Sequence, residues 1–163
     1  MWQFWRSLAP RPLDAADRAI LAATLPPGGR ALFATMSRND QRHSLTVYRA
    51  LASRGCQDPD LLAAALLHDV GKGGGRVPLW VRPPVVLLHA FAPGLLRSLT
   101  RAPASGAPVP WWRRPFYYAW HHPDVGADLA ARAGLPERAV LFIRTHHLPD
   151  GPAAELHAVD DAL

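Results

Sequence analysis

The sequence predicts an all-α protein, and three observations carry that expectation. Apolar residues recur at three-and-four spacing in several windows, as on the buried stripe of a helix. Ala- and Leu-rich runs are opened by Asp, Ser or Pro and closed by Gly, the residues that start and stop helices. No stretch alternates strongly between apolar and polar positions as a half-buried strand would, and no internal repeat is visible.

Asp14 is placed to cap a first helix reaching about Leu25, with Ala and Leu supplying the propensity. The run Pro26-Pro27-Gly28-Gly29 reads as a break, with a short helix following over 30–36. Before all of these, residues 1–13 carry Trp2, Phe4, Trp5, Pro10 and Pro12, an arm expected to pack on the domain or touch a partner. A third helix starts in the cap-rich stretch Ser37 to Asp40 and places His43, Val47, Ala50 and Leu51 on one face before Gly55 ends it. Asp58-Pro59 fits an N-cap followed by proline at the first helical position. The fourth helix then covers 60–69, with Leu61, Ala64, Ala65 and His68 on a stripe and Gly71 expected to end it in the left-handed conformation. Gly73-Gly74-Gly75 is a flexible exit.

Two short helices over 85–91 and 95–99, divided by Pro93-Gly94, are expected next. The apolar run from Val77 to Leu96 is long enough to span a bilayer, but Arg82, His89 and its prolines argue against a transmembrane helix. A Pro/Ala/Gly loop over 102–110 precedes an aromatic and basic cluster that begins at Trp111. Pro123 and Asp124 are expected to open a helix to about Ala133, closed by Gly134. Pro136 and Glu137 open another, reaching His146-His147, and a last helix from about Ala153 carries Asp160 and Asp161. The chain divides into an arm with early helices over 1–36 and a main domain over 37–163, with a Pro/Trp/Arg-rich insertion at about 73–118.

Composition bounds the function. The 163 residues suffice for one domain with a sizeable core, and 49% hydrophobic residues exclude a disordered chain. A formal net charge of +5 favours anionic partners such as phosphate esters, nucleic acid or acidic lipid. Lys72 is the sole lysine among 18 strong bases. The single cysteine, Cys56, cannot form an internal disulfide and is expected as a buried thiol. The N-terminus has no signal-peptide pattern, so a cytoplasmic location is expected.

The chemistry-bearing candidates, in chain order, are His43, His68, Asp69, His122, His146 and Asp160, each on or at the end of an expected helix. In a helical bundle, inward-facing His and carboxylates from different helices converge on a metal site. An imidazole-rich set suits divalent transition ions such as Mn, Fe, Zn, Co or Ni better than Mg or Ca. His89, His121 and His157 are expected at the surface or in local hydrogen bonds, and Asp124 in helix N-terminal charge pairing.

The order His, His-Asp, His, His, Asp resembles that of the HD-domain superfamily of metal-dependent phosphohydrolases. Leu66-Leu67-His68-Asp69-Val70-Gly71-Lys72 resembles its signature, and His43-Ser44-Leu45-Thr46-Val47 its first-histidine helix. His121-His122-Pro123-Asp124-Val125-Gly126-Ala127 and Ile143-Arg144-Thr145-His146-His147 resemble the later motifs of the HD-GYP-like and cyclic-dinucleotide-cleaving branches. Leu148-Pro149-Asp150-Gly151-Pro152 stands where the Gly-Tyr-Pro tail would follow, so cyclic di-GMP is not the expected substrate. The likeness covers about 37–163 and implies an HD-domain helical bundle.

By that resemblance His43, His68, Asp69 and Asp160 are the primary ligands, with Asp69 bridging two ions and His122 and His146 serving the second. His147 is a further candidate ligand, although adjacent helical side chains diverge by about 100°. Asp160 is preferred to Asp161 because it follows Ala158-Val159 as the family's last Asp follows small and apolar residues. The implied activity is hydrolysis of a nucleotide or other phosphate ester (a phosphodiesterase among the options) by a metal-bound hydroxide at a dinuclear site, with Asp69 and Lys72 catalytic. Two alternatives stand beside it: a di-iron oxygenase, which a minority of the superfamily builds from the same ligands, and a silent metal- or nucleotide-binding module. The insertion reads as a helical cover over the site, and its Trp/Arg content admits peripheral membrane contact. No motif for specific nucleic-acid recognition is present, and the oligomeric state is left open.

Overall fold

A computed structural model describes residues 12–73, 77, 81–102 and 107–163. The described residues form α-helices and one 3₁₀ turn, with no strand among them. The helices are α1 (Ala15–Thr24), α2 (Pro27–Ala34), α3 (Arg38–Ser53) and α4 (Pro59–Leu67), followed by the 3₁₀ turn Val70–Lys72. Then come α5 (Arg82–Phe91), α6 (Pro93–Thr100), α7 (Arg114–Arg132), α8 (Glu137–Thr145) and α9 (Ala154–Asp160). The arm over 1–11, the Gly74-Gly75 exit and residues 103–106 of the expected loop lie outside the described residues.

The expected caps at Asp14, Ser37 and Asp58 are all present. Asp14 and Asp17 form a reciprocal capping box on α1. Ser37 accepts from the Asp40 amide, and Asp58 from the amides of Asp60 and Leu61. Gly55 and Gly134 adopt φ of +89° and +82° just past α3 and α7, where a side chain would be strained.

Two boundaries differ from expectation. The helix expected over 30–36 begins at Pro27, because proline is tolerated in a first helical turn, where its missing N–H has no partner to lose. The larger difference is α7, a single helix of 19 residues with Pro123 in its interior, where the sequence predicts a helix opening at that proline. Interior proline leaves the carbonyl four residues back without its donor. Here that carbonyl, Ala119 O, accepts instead from the His122 ring, as described below.

The core is one aliphatic cluster in which α4 is almost wholly enclosed. Leu61, Ala63, Ala64, Ala65, Leu66 and Leu67 are all buried, packed between α3 and α8. The small side chains of α4 let its neighbours approach closely, which fixes the position of its C-terminal end. The 3₁₀ turn packs chiefly against α7, α8 packs on both α4 and α7, and α9 packs on α3. Arg138 of α8 clamps the N-cap of α4 through a bidentate pair with Asp58, at 2.9 and 2.6 Å. Cys56 is half-buried rather than buried, and packs against this core as a free thiol.

Asp17 is fully enclosed on α1 and is held by two arginines of α3. Arg42 donates at 2.9 Å and Arg49 at 2.6 Å, and against the opposing effect of burial the Asp14 amide, with these two arginines, keeps the carboxyl below its ordinary pKa. No helix among the described residues is long and apolar enough to cross a membrane.

Candidate metal centre

The 3₁₀ turn meets α7 at one point, and Gly71 decides how closely. A Cβ at Gly71 would lie 2.1 Å from the His122 carbonyl oxygen and 2.8 Å from its Cα, so only glycine lets the turn reach the α7 backbone there. Gly71 does not end α4 in the left-handed conformation, as the sequence predicts; it lies inside the 3₁₀ turn, and its φ is not positive. Its service is steric. It brings Asp69 and Lys72 against His122.

Three histidines are aimed by one device. His68 and His146 cap the C-terminal ends of α4 and α8, where the last-turn carbonyls have no helical donor. Each ring donates its Nδ1–H to the carbonyl three residues back: His68 to Ala65 at 2.9 Å, His146 to Ile143 at 2.7 Å. His122 does the same in mid-helix, donating to Ala119 O at 2.9 Å. That carbonyl is free because Pro123 has no N–H. A ring that donates from Nδ1 in the neutral state carries its lone pair on Nε2. The backbone thus sets the tautomer of all three, as the outer hydrogen bond does for metal-ligating imidazoles.

The Nε2 atoms converge. His68 Nε2 lies 3.7 Å from Asp69 Oδ1 and 3.4 Å from Asp160 Oδ1. His43 Nε2 lies 2.7 Å from the same Asp160 oxygen. His122 Nε2 is 3.5 Å from Asp69 Oδ1 and 3.0 Å from His147 Nε2. The His146 ring centroid stands 5.2 Å from that of His68, 5.3 Å from His122 and 4.0 Å from His147. All seven sequence-derived ligand candidates therefore meet in one cluster. His147 reaches it together with His146 because α8 ends at Thr145, so the pair lies beyond the regular turn that would splay it. Asp160 faces inward from α9, whereas Asp161 is exposed at its end.

The donor set fits a cation. His146 Nε2 is fully buried and has no hydrogen-bond partner, while the buried His68 Nε2 faces only the carboxylate oxygens of Asp69 and Asp160. An unpartnered acceptor at such depth is costly unless something electrophilic completes it. The ligand atoms of His43, His68 and Asp69 lie within 4.8 Å of one another, as do those of His122, His146 and His147, which makes two groups of three. Asp69 stands between the groups, near both His68 and His122.

Electrostatics agree with this division. Burial drives His122 well below its ordinary pKa, helped by the Lys72 charge, and pushes His146 down to about 3, helped by His68. His147 is lowered by the same causes, so this triad is neutral and ready to ligate. Burial also opposes charge on His68, but Asp69 and Asp160 outweigh it and raise that pKa. Burial would raise both carboxyls, yet His68 and Lys72 hold Asp69 low, and His43 and His68 hold Asp160 low. The Lys72 ammonium stands 2.7 Å from Asp69 Oδ1 and forms an ion pair with it.

A cleft of about 510 Å³ opens onto the second triad, lined by His89, Ala119, Trp120, His122, Pro123 and His147. His89 and Trp120 form part of its wall, with ring centroids 6.0 Å apart. Neither stands out in the sequence as a site residue, because the segment that carries them has no readable periodicity. His121 is not a ligand; its Nε2 donates to Thr100 O at 2.9 Å and ties α6 to α7. His157 is half-buried on α9, and Asp124 is exposed within α7, 4.0 Å from His121.

No family model matches the chain, and neither a curated protein nor a solved structure matches it.

Proposed function

We propose that the protein is a metal-dependent phosphohydrolase acting on a nucleotide or another phosphate ester. The observation that carries this reading is the convergence of five histidines and two aspartates from five separate parts of the chain, with the buried His146 Nε2 left unpartnered. His43, His68, Asp69 and Asp160 would hold one divalent transition ion and His122, His146 and His147 a second, with Asp69 common to both. Bound ions of this kind supply an activated water and neutralise charge on phosphoryl oxygens.

The chain's own groups complete the assignment. Asp69 is held ionised and so offers both groups a bridging carboxylate. Lys72 is partly exposed beside it and is positioned to meet an incoming phosphate oxygen, where a cation stabilises the charge that develops on transfer. The cleft walled by His89 and Trp120 gives the rest of an ester a partly apolar place to lie.

The test joins metal analysis to turnover. Protein purified without chelator should retain close to two transition ions, and should release phosphate or an alcohol from a panel of nucleotides and aryl phosphate esters. Lys72→Met should keep the ions and lose roughly a hundredfold in kcat. Oxygen uptake with a substrate, without phosphoryl release, would instead assign a di-iron oxygenase. Full metal loading without turnover on the panel would leave a silent binding module.

A further inference from the structure

We propose that the unit built from α5, α6 and the start of α7 docks the protein on an anionic lipid bilayer. Seven of the ten large apolar side chains exposed among the described residues lie between Val86 and Trp120. Phe91 is 83% exposed and Trp111 78%, and Val86, Leu87, Leu95 and Trp112 are each more than half exposed. A concentration of this kind marks an interaction surface rather than scattered surface hydrophobes.

The side chains stand on ordered structure. Helix α5 packs on α6, and both pack on α7. Leu96 and Thr100 turn inward and are buried, which leaves Leu95 and Arg97 outward. The Arg113 guanidinium donates to the carbonyls of Ser98, Leu99 and Arg101, at 2.8, 2.9 and 2.6 Å, and so fastens the end of α6 to the start of α7.

Charge selects the occupant. Residues 70–123 contain seven of the chain's 18 strong bases and none of its 13 acids, while the remainder holds more acids than bases. Arg97, Arg101 and Arg114 are exposed beside the apolar residues. Trp and aliphatic side chains mixed with arginine match the chemistry of a headgroup layer, with apolar groups sinking below it and guanidinium groups meeting lipid phosphates. A second copy docked by the same face would bring like charge against like. Nucleic acid would satisfy the arginines but give Val86, Leu87 and Leu95 nothing to enter.

The experiment is co-sedimentation of the full chain with two kinds of vesicle, phosphatidylcholine alone and phosphatidylcholine mixed with phosphatidylglycerol. Binding to the mixed vesicles alone, weakened by salt and accompanied by a blue shift of tryptophan emission, is the expected result. Two variants act on different terms: Phe91→Asp with Trp111→Ser and Trp112→Ser, and Arg97→Gln with Arg101→Gln and Arg114→Gln. Each should lower vesicle binding by roughly tenfold or more while the helical circular dichroism is unchanged. Failure to bind, equal binding to both vesicle types, or binding that both variants retain would overturn the proposal. So would a dimer in solution that Phe91→Asp dissociates, or tight binding of an oligonucleotide that the arginine variant abolishes. None of these readouts uses turnover, so the proposal stands or falls apart from the hydrolase reading.

Discussion

Single residues set the state of the centre through the backbone. Pro123 is the clearest case, because its effect on the site is an N–H it does not have. Pro123→Ala restores a donor to Ala119 O, in competition with His122 Nδ1. The helix should gain stability, since an interior proline is unfavourable by about 3 kcal/mol relative to alanine. Metal affinity should nevertheless fall roughly tenfold or more, as it does when outer hydrogen bonds to ligating histidines are lost. Thermal unfolding and metal titration of one variant check both halves, and unchanged affinity would refute the role given to this proline. Asp17 makes the contrasting case. Asp17→Asn leaves Arg42 and Arg49 without their carboxylate and the box on α1 weakened, for an expected loss of about 1–3 kcal/mol with metal binding intact. Chemical denaturation and metal stoichiometry separate the two roles.

At the scale of elements, the geometry depends on how closely the 3₁₀ turn can approach α7. Gly71→Ala puts a methyl into the His122 carbonyl, and the obstruction is backbone that cannot rotate away. Expected are a stability loss at or above the about 1–3 kcal/mol usual for overpacking and a larger loss of metal binding, because Asp69 and His122 must separate. A crystal structure of the variant in which the turn and α7 stay in place would count against this account. The same contact shows what was legible in the sequence and what was not. His68-Asp69, the caps at Asp14, Ser37 and Asp58, and the glycines after α3 and α7 announce themselves locally, since each acts on neighbouring residues. Gly71 was readable as special, but its true partner is 51 positions away, so local rules assigned it a left-handed turn. Pro123 was misread as a helix start for a related reason. The compensation that keeps it in mid-helix is a histidine side chain, which propensity does not consider. The cluster was legible as an order of residues, and its division into two subsets followed from the resemblance, whereas the arrival of both His146 and His147 in the second subset required the fold.

For the molecule as a whole, the buried cluster ties stability to protons and, under the proposed function, to metal. Asp69 and Asp160 fold with lowered pKa values, so their contribution is present above the unfolded value of 3.8 and is lost only as pH falls below it. His122, His146 and His147 also fold with lowered values, so below about 6.5 the unfolded chain takes up protons that the folded chain refuses. Stability therefore drops as pH falls from 6.5 toward the value of about 3 at His146, by about 1.4 kcal/mol per pH unit for each fully shifted ring. His68 acts in the opposite sense. Its raised value means that its contribution is complete below 6.5 and disappears as pH rises through the folded pKa. The chelator-treated protein should thus be most stable near pH 6.5 and weaken on both sides. His146→Gln should flatten the acid side alone. A transition ion supplied at a hundred times its dissociation constant should add about 2.7 kcal/mol at neutral pH, because it binds a set of donors that exists only in the folded chain. Urea midpoints between pH 4.5 and 8.5, with and without metal, measure all three effects. A flat profile indifferent to His146→Gln and to metal would mean that these imidazoles do not share one buried centre.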